Sequence, residues 1–425
     1  MRKSFFVLAM VIGVSLMAES PYLDAPREYS GPVDMPCTSF FYTVDIPKLR
    51  EKCAAVTPEW MMQRLQKEMA HFRKNKISQQ ALDVTFEKFS RNVGSQESAR
   101  YRVIGERIYR HGQDPWGMDA FFRTIARVAD FPGIPDLPNV DFIISHNDVT
   151  PFDFQSRDFW ITENFQDQAP IFTYARKENC PYLVSIPDRF TIAEWWRLAE
   201  AILEANSRYP WSRKKKSAFW RGQPSDFARL GMWPTPYEEV ARRYAEMPRY
   251  KICLLSNQYP GLVDAGFNQP GFSATSEVIE FIKPFNKDGC SPGQHLQWAY
   301  LPTLDGFTST YPGFLWRLLS NSVAFKQESE ESQWFYDALI PYEHYVPIKN
   351  NMEDLIEKIL WAQQHEEECK RIAANASALV RQHLMIEDIY LYFFRVLQEY
   401  ATHQDFDTLR LLNETEGNPN WVRLR

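Results

Sequence analysis

The sequence predicts an α/β fold arranged in two lobes, and three observations carry that expectation. The chain has 425 residues, more than one domain of ordinary size needs. Apolar residues make up 44% and charged residues 24%, the balance of a globular protein with real cores. Short apolar runs of strand length alternate with helix-period stretches on both sides of Tyr209-Pro210-Trp211-Ser212-Arg213, and such alternation builds parallel sheets.

The elements follow in order. Arg2-Lys3 and the apolar run Ser4–Ala18 have the form of a secretory leader, with an uncleaved anchor as the alternative. Residues 19–56 read as an irregular lead segment. Six cysteines, at 37, 53, 180, 253, 290 and 369, form no CxxC pair, which excludes zinc-ribbon and thioredoxin chemistry. In an exported chain Cys37 and Cys53 would bridge; free thiols are the alternative. Thr57-Pro58 opens a helix with proline at its first position, and Met61, Leu65, Met69 and Phe72 form an apolar stripe along it. A helix over Ser78–Phe89, a strand pair in Arg100–Arg110 and a helix over Phe121–Val128 come next. The strand Val140–Ser145 ends in His146-Asn147-Asp148. A strand at Pro170–Tyr174, a loop holding Pro181, Pro187, Asp188 and Arg189, and a helix from Ala193 to Asn206 complete the first lobe.

Past the linker, the strand Ser217–Trp220 breaks at Arg221-Gly222 into a loop. A helix is expected at Tyr237–Ala245, then strands at Ile252–Leu255 and Trp298–Leu301. The helix Phe314–Leu319 leads to the strand Ser322–Phe325, and the helix Trp334–Leu339 to the strand Tyr345–Ile348. From Asp354 the chain reads as helical. Ile386, Ile389, Tyr390, Phe393, Val396, Leu397 and Tyr400 share one face, which would cross back to the first lobe. The tail after Gln404 reads as loose. The boundaries are therefore a leader or anchor at 1–18, a first lobe at 19–208, a second at 209–365, C-terminal helices at 366–403 and a tail at 404–425.

Function classes fall away by composition and motif. A net charge of −6 argues against nucleic acid as a partner. GxGxxG, P-loop, GxSxG and HExxH patterns are absent. The only DxD triplet is Asp405-Phe406-Asp407 in the tail, where it reads as surface charge. Neither a metal nor a cofactor is expected. Arg221 stands at the carboxyl end of a strand beside a glycine, a position and residue type suited to an anion. Lys214–Lys216, Lys326 and Glu328 read more simply as solvated charges.

Four segments in order, AFWRG (218–222), LVDAGF (262–267), NSVAFKQES (321–329) and PYEHYVPI (341–348), resemble glycosyltransferase family 90. That family holds protein O-glucosyltransferases and capsule-associated xylosyltransferases, and the resemblance runs from about Tyr101 to about Leu384. It implies a GT-B-like fold of two Rossmann-like lobes. It also implies inverting, metal-independent transfer from a UDP-sugar, glucose or xylose, to a hydroxyl on protein, polysaccharide or lipopolysaccharide. Residue by residue, it places the catalytic base at Asp148, which taken alone also reads as a loop-capping aspartate. The donor falls on Lys216, Arg221 and the run Phe307, Thr308, Ser309, Thr310 and Tyr311, and the acceptor or sugar near Pro187, Asp188 and Arg189. Pro312 stands where the family usually has arginine, and Arg317 is the candidate substitute. Without one, the chain would be a catalytically impaired sugar- or nucleotide-sugar-binding relative. The leader implies a secretory lumen, or membrane association if it is retained.

Overall fold

The computed structural model describes residues 44–93, 98–114, 117–146, 168–178, 180–230, 236–268 and 275–425. The expected leader, Cys37 and Asp148 lie outside the described residues. The first half contains α1 (Ile46–Ala54), α2 (Glu59–Glu68), β1 (Ile77–Ser78), α3 (Gln79–Val93), β2 (Ser98–Ile104), β3 (Arg107–Gly112) and α4 (Met118–Ala129). It continues through β4 (Val140–Ser145), β5 (Ile171–Thr173), β6 (Arg176–Lys177), β7 (Leu183–Ser185) and α5 (Arg189–Arg208). The second half runs through β8 (Lys215–Gly222), α6 (Tyr237–Tyr244), α7 (Pro248–Gln258), β9 (Val263–Phe267), α8 (Ser276–Ile282), α9 (Pro292–His295) and β10 (Trp298–Thr303). Then come α10 (Gly313–Leu319), β11 (Val323–Gln327), β12 (Glu331–Ser332), β13 (Val346–Ile348), α11 (Leu355–Gln364), α12 (Glu366–His383) and α13 (Ile386–His403). β14 (Gln404–Asp405), α14 (Thr408–Thr415) and β15 (Trp421–Arg423) close the chain.

Two larger sheets organise these elements, both within one packed unit, Asp34–Arg425. The first has the order β15-β3-β2-β4-β5-β7, antiparallel at its β15 edge and parallel across β4, β5 and β7. The second has the order β13-β11-β10-β8-β9 and is parallel throughout. Its central strands β10 and β11 are buried along their whole length, as strands of a parallel sheet covered on both faces are. The expected stripe Met61, Leu65, Met69 and Phe72 is core. α13 carries its apolar face onto α1, α2, α5 and β4, as its periodicity implied. Ion pairs Lys48–Glu387 at 2.8 Å and Lys52–Asp388 at 2.7 Å fasten it to α1.

Five expectations need correction. The lead segment, read as irregular over residues 19–56, contains the helix α1, capped by Asp45, whose side chain accepts from the Lys48 amide. Ile252–Leu255 is helical, inside α7, and the next strand is β9, Val263–Phe267. A short apolar run cannot be assigned by periodicity alone; here Pro248 at the helix start and burial of Ile252, Cys253 and Ser256 on one face decide for helix. Trp334–Leu339 forms only the 3₁₀ turn Tyr336–Ala338, with Trp334 and Phe335 buried ahead of it. β8 does not break at Arg221: Arg221 and Gly222 pair with Gly266 and Phe267 of β9.

The tail, read as loose, is ordered by sheet pairing. β14 pairs with β1, and β15 extends the edge of the first sheet against β3. Trp421 lies under the Arg102 guanidinium, 4.2 Å from its ring centre, and Arg425 pairs with Asp130 at 2.8 Å. Arg102 in turn shares the fully buried Asp141 with Arg100. Trp421→Ala should cost about 1–2 kcal/mol through the lost ring contact and edge pairing. Urea unfolding would show this as an earlier midpoint at unchanged slope; an unmoved midpoint would mean that the ring does not anchor the tail.

Candidate functional site

In the parallel sheet the chain starts at β8, places β9 on one side and then crosses to place β10 on the other. The boundary between β8 and β10 is thus a topological switch point, where crossover loops diverge and leave a crevice at the strands' carboxyl ends. A cleft of about 320 Å³ opens there. Three arginines line it: Arg221 at the end of β8, Arg249 at the start of α7 and Arg317 in α10. No carboxylate is among the described residues that line it.

Each guanidinium is held differently. Arg221 donates to the carboxylate of Asp264 on β9 at 2.9 Å and lies over the Phe219 ring, and Lys287 shares that carboxylate at 2.8 Å. Arg249 donates to backbone carbonyls on both flanking loops: Gln223 after β8 at 2.6 Å, and Leu304 and Asp305 after β10 at 2.9 Å each. A side chain at Gly306 would stand 2.9 Å from the Arg249 Nη2, so glycine is what lets that loop close on the arginine. Arg317 donates to the Gly313 carbonyl at 2.8 Å and stacks on Trp316. Gly313 matters for the same steric reason, since a Cβ there would meet Thr310 Oγ1 and Arg317 Nη1. Burial, and the nearby Arg249, push the Arg317 guanidinium down to about 9. Two buried cations without a lining carboxylate destabilise each other, and a bound anion relieves both.

His295 also faces this cleft. Its Nδ1 lies 2.8 Å from the Ser291 carbonyl, an acceptor only, so Nδ1 carries the proton and Nε2 is a bare acceptor. Burial first, then Arg317 and Arg221, holds its pKa down at about 3, so the ring is neutral.

Of the residues singled out in the sequence, the cleft brings together Arg221, Thr310 and Arg317. The rest of the run lies alongside. Phe307 packs on Phe227, Thr308 donates to Glu331 at 2.7 Å, Ser309 is buried, and Tyr311 turns to Tyr174 and Phe190. Lys216 is directed elsewhere, onto the Trp211 carbonyl and ring and toward Glu366. Pro187 precedes Asp188, which caps α5 by accepting from the Thr191 amide at 2.9 Å, and Arg189 lies over Phe190. None of these three lines the cleft.

Two charges read as solvated are buried. Lys326 pairs with Asp305 at 3.1 Å beneath the loop after β10. Lys214 donates to the Leu296 carbonyl and Ser322, and burial lowers it to about 7. Glu328 is exposed, as expected. His146, at the end of β4, is buried with Nδ1 3.4 Å from the Tyr174 hydroxyl. Cys53 is a free thiol. Asp405 and Asp407 serve the tail, Asp407 as the cap of α14. Sequence reasoning missed Arg249 and His295. The first was hidden by the misplaced strand; for the second, a lone histidine gave no signal.

Comparison with known proteins gives the frame for this geometry. The profile of glycosyl transferase family 90 matches residues 53–416. Protein O-glucosyltransferase 3 of Mus musculus is 32% identical over 202 residues, 48% of this chain and 35% of that protein. Protein O-glucosyltransferase 2 of Danio rerio is 24% identical over 303 residues, 68% of this chain and 51% of that protein. The O-glucosyltransferase rumi homolog of Aedes aegypti is 23% identical over 333 residues, 73% of this chain and 72% of that protein. The chain thus spans about a third of the mouse relative and half of the zebrafish one. It belongs to glycosyl transferase family 90.

The charge arrangement makes its own prediction. Inorganic pyrophosphate should bind the cleft, and Arg317→Ala should weaken it about 10- to 100-fold, the worth of a charge-assisted hydrogen bond in a buried site. Titration calorimetry checks this, and equal affinity in both proteins would refute the assignment of Arg317 to the anion.

Proposed function

We propose that this family 90 chain transfers a sugar from a UDP-sugar to a hydroxyl acceptor, with inversion and without a metal. The observation that carries the proposal is the cleft at the β8–β10 switch point, where three guanidiniums converge without a lining carboxylate. That is the electrostatics a departing diphosphate needs, and it removes the requirement for a divalent cation. The two sheets would be the two lobes of a GT-B-like fold, with the nucleotide on the second. Glucose is the first donor sugar to test, xylose the second. The names of the relatives favour a protein hydroxyl as acceptor, and a polysaccharide or lipopolysaccharide is the other candidate.

In this reading the acceptor oxygen attacks the anomeric carbon from the face opposite the diphosphate. Its proton passes to the Asp148 carboxylate as the bond to the phosphate oxygen breaks, and that bond's electron pair leaves with UDP. Arg221 and Arg317 hold the developing charge. Arg317 then supplies the cation that Pro312 lacks, which weighs against the alternative of a catalytically impaired binding relative. Among the described residues no helix is long and apolar enough to cross a membrane. The proposed location is a secretory lumen, or a membrane face held by residues 1–18.

UDP release from UDP-glucose or UDP-xylose, with candidate acceptors and excess chelator, tests the proposal. Release should persist without metal and fall by at least about a thousandfold in Asp148→Asn, as expected when an essential base is lost. Tight UDP binding without turnover for any pair of substrates would instead favour the impaired relative.

A further inference from the structure

Three buried polar atoms of the same cleft have no hydrogen-bond partner among the described residues: Arg221 Nε, Arg317 Nε and His295 Nε2. Two are donors. The third is an acceptor, because the His295 Nδ1 proton is already committed to the Ser291 carbonyl. His295 is 4% exposed and is packed edge-on by Phe219 and Trp316, at 5.0 and 5.3 Å between ring centres. The ring is therefore held, and Nε2 is closed to bulk solvent. An unmatched buried polar group is costly, so three of them in one cleft describe the ligand that would satisfy them.

Phosphate oxygens satisfy only the two arginine donors. The diphosphate of a UDP-sugar cannot satisfy Nε2, because both of its phosphates are esterified and fully ionised at neutral pH and have no proton to give. We infer that His295 accepts a hydrogen bond from a hydroxyl on the organic group attached to the phosphates, making it a specificity residue that separates a sugar or nucleoside diphosphate from a bare one. Access takes a small displacement of the side chains that close over Nε2. The hydroxyl has two possible sources, the ribose of the nucleotide or the transferred sugar, and both lie within one sugar ring of the diphosphate. This inference rests on the donor-site reading of the cleft.

The test measures affinities of wild type, His295→Phe and His295→Gln for pyrophosphate, UDP and UDP-glucose by calorimetry, with melting curves to confirm folding. His295→Phe should bind UDP or UDP-glucose about 3- to 10-fold more weakly, the loss of one net hydrogen bond, with pyrophosphate unchanged. His295→Gln, which keeps an acceptor, should recover much of the loss. A loss already present with UDP assigns the hydroxyl to ribose, and a loss seen only with UDP-glucose assigns it to the transferred sugar. Equal binding of all three ligands by wild type and His295→Phe overturns the inference and leaves the donor site standing. An equal loss for pyrophosphate also overturns it, since that would be a disturbance of the arginines. Failure of wild type to bind UDP removes the donor-site reading itself. Should His295→Phe not fold, the ¹⁵N shift of the unprotonated His295 nitrogen decides in the wild type: it should move upfield with UDP or UDP-glucose and stay with pyrophosphate, and no movement with either nucleotide overturns the inference.

Discussion

The site depends on one side chain that the chemistry itself need not touch. Arg249 spans the gap between the loops after β8 and β10 and bonds carbonyls on each. Those loops diverge because the chain reverses its direction of travel across the sheet at that point. A crevice at a switch point is open by topology, and its walls need something to set their spacing. Arginine suits the task because its planar fork offers five donors and no acceptor. Its backbone is fixed in turn, since the Arg249 amide donates to Asp226 at 3.1 Å, which also accepts from Tyr244. One guanidinium therefore sets the width of the cleft and contributes positive charge to it.

Much of the architecture was legible because burial leaves a periodic trace. The β4 strand was placed to the residue, and the α13 face was visible as an i, i+3, i+4 pattern. What failed were elements whose structure is decided by partners distant in sequence. β15 has only three residues, too few to show a period; it is a strand because β3 presents an edge beside it and Arg102 lies over its tryptophan. β7, likewise three residues long, exists through its pairing with β5. Neither condition can be read from a local window.

The same division holds for the site. Arg221 was legible because strand-end position and residue type agree. Lys326 was misread because a lysine near a strand end is usually solvated, and only its pairing with Asp305 makes burial tolerable. That pair has a consequence for the cleft. Asp305 also accepts from Ser329, so the start of the loop carrying Thr310 is pinned from below by Lys326 and Ser329, and its carbonyl by Arg249 from the side.

On the donor-site reading, Pro312 at the place where the resemblance expects arginine need not mean a missing function. What a diphosphate site requires is positive charge at a place, and the residue number that supplies it is secondary. Arg317 lies five residues on, beyond the first turn of α10, yet its guanidinium returns to the Gly313 carbonyl and lines the cleft with Thr310. It does so only because position 313 has no side chain to block the path. Proline and glycine at 312 and 313 then belong to one local solution: the first carries no charge, and the second lets a cation from the next turn reach the cleft. An arginine at 312 would on this argument add a fourth cation to the cleft, and raise the repulsion from Arg249 that already lowers the Arg317 guanidinium.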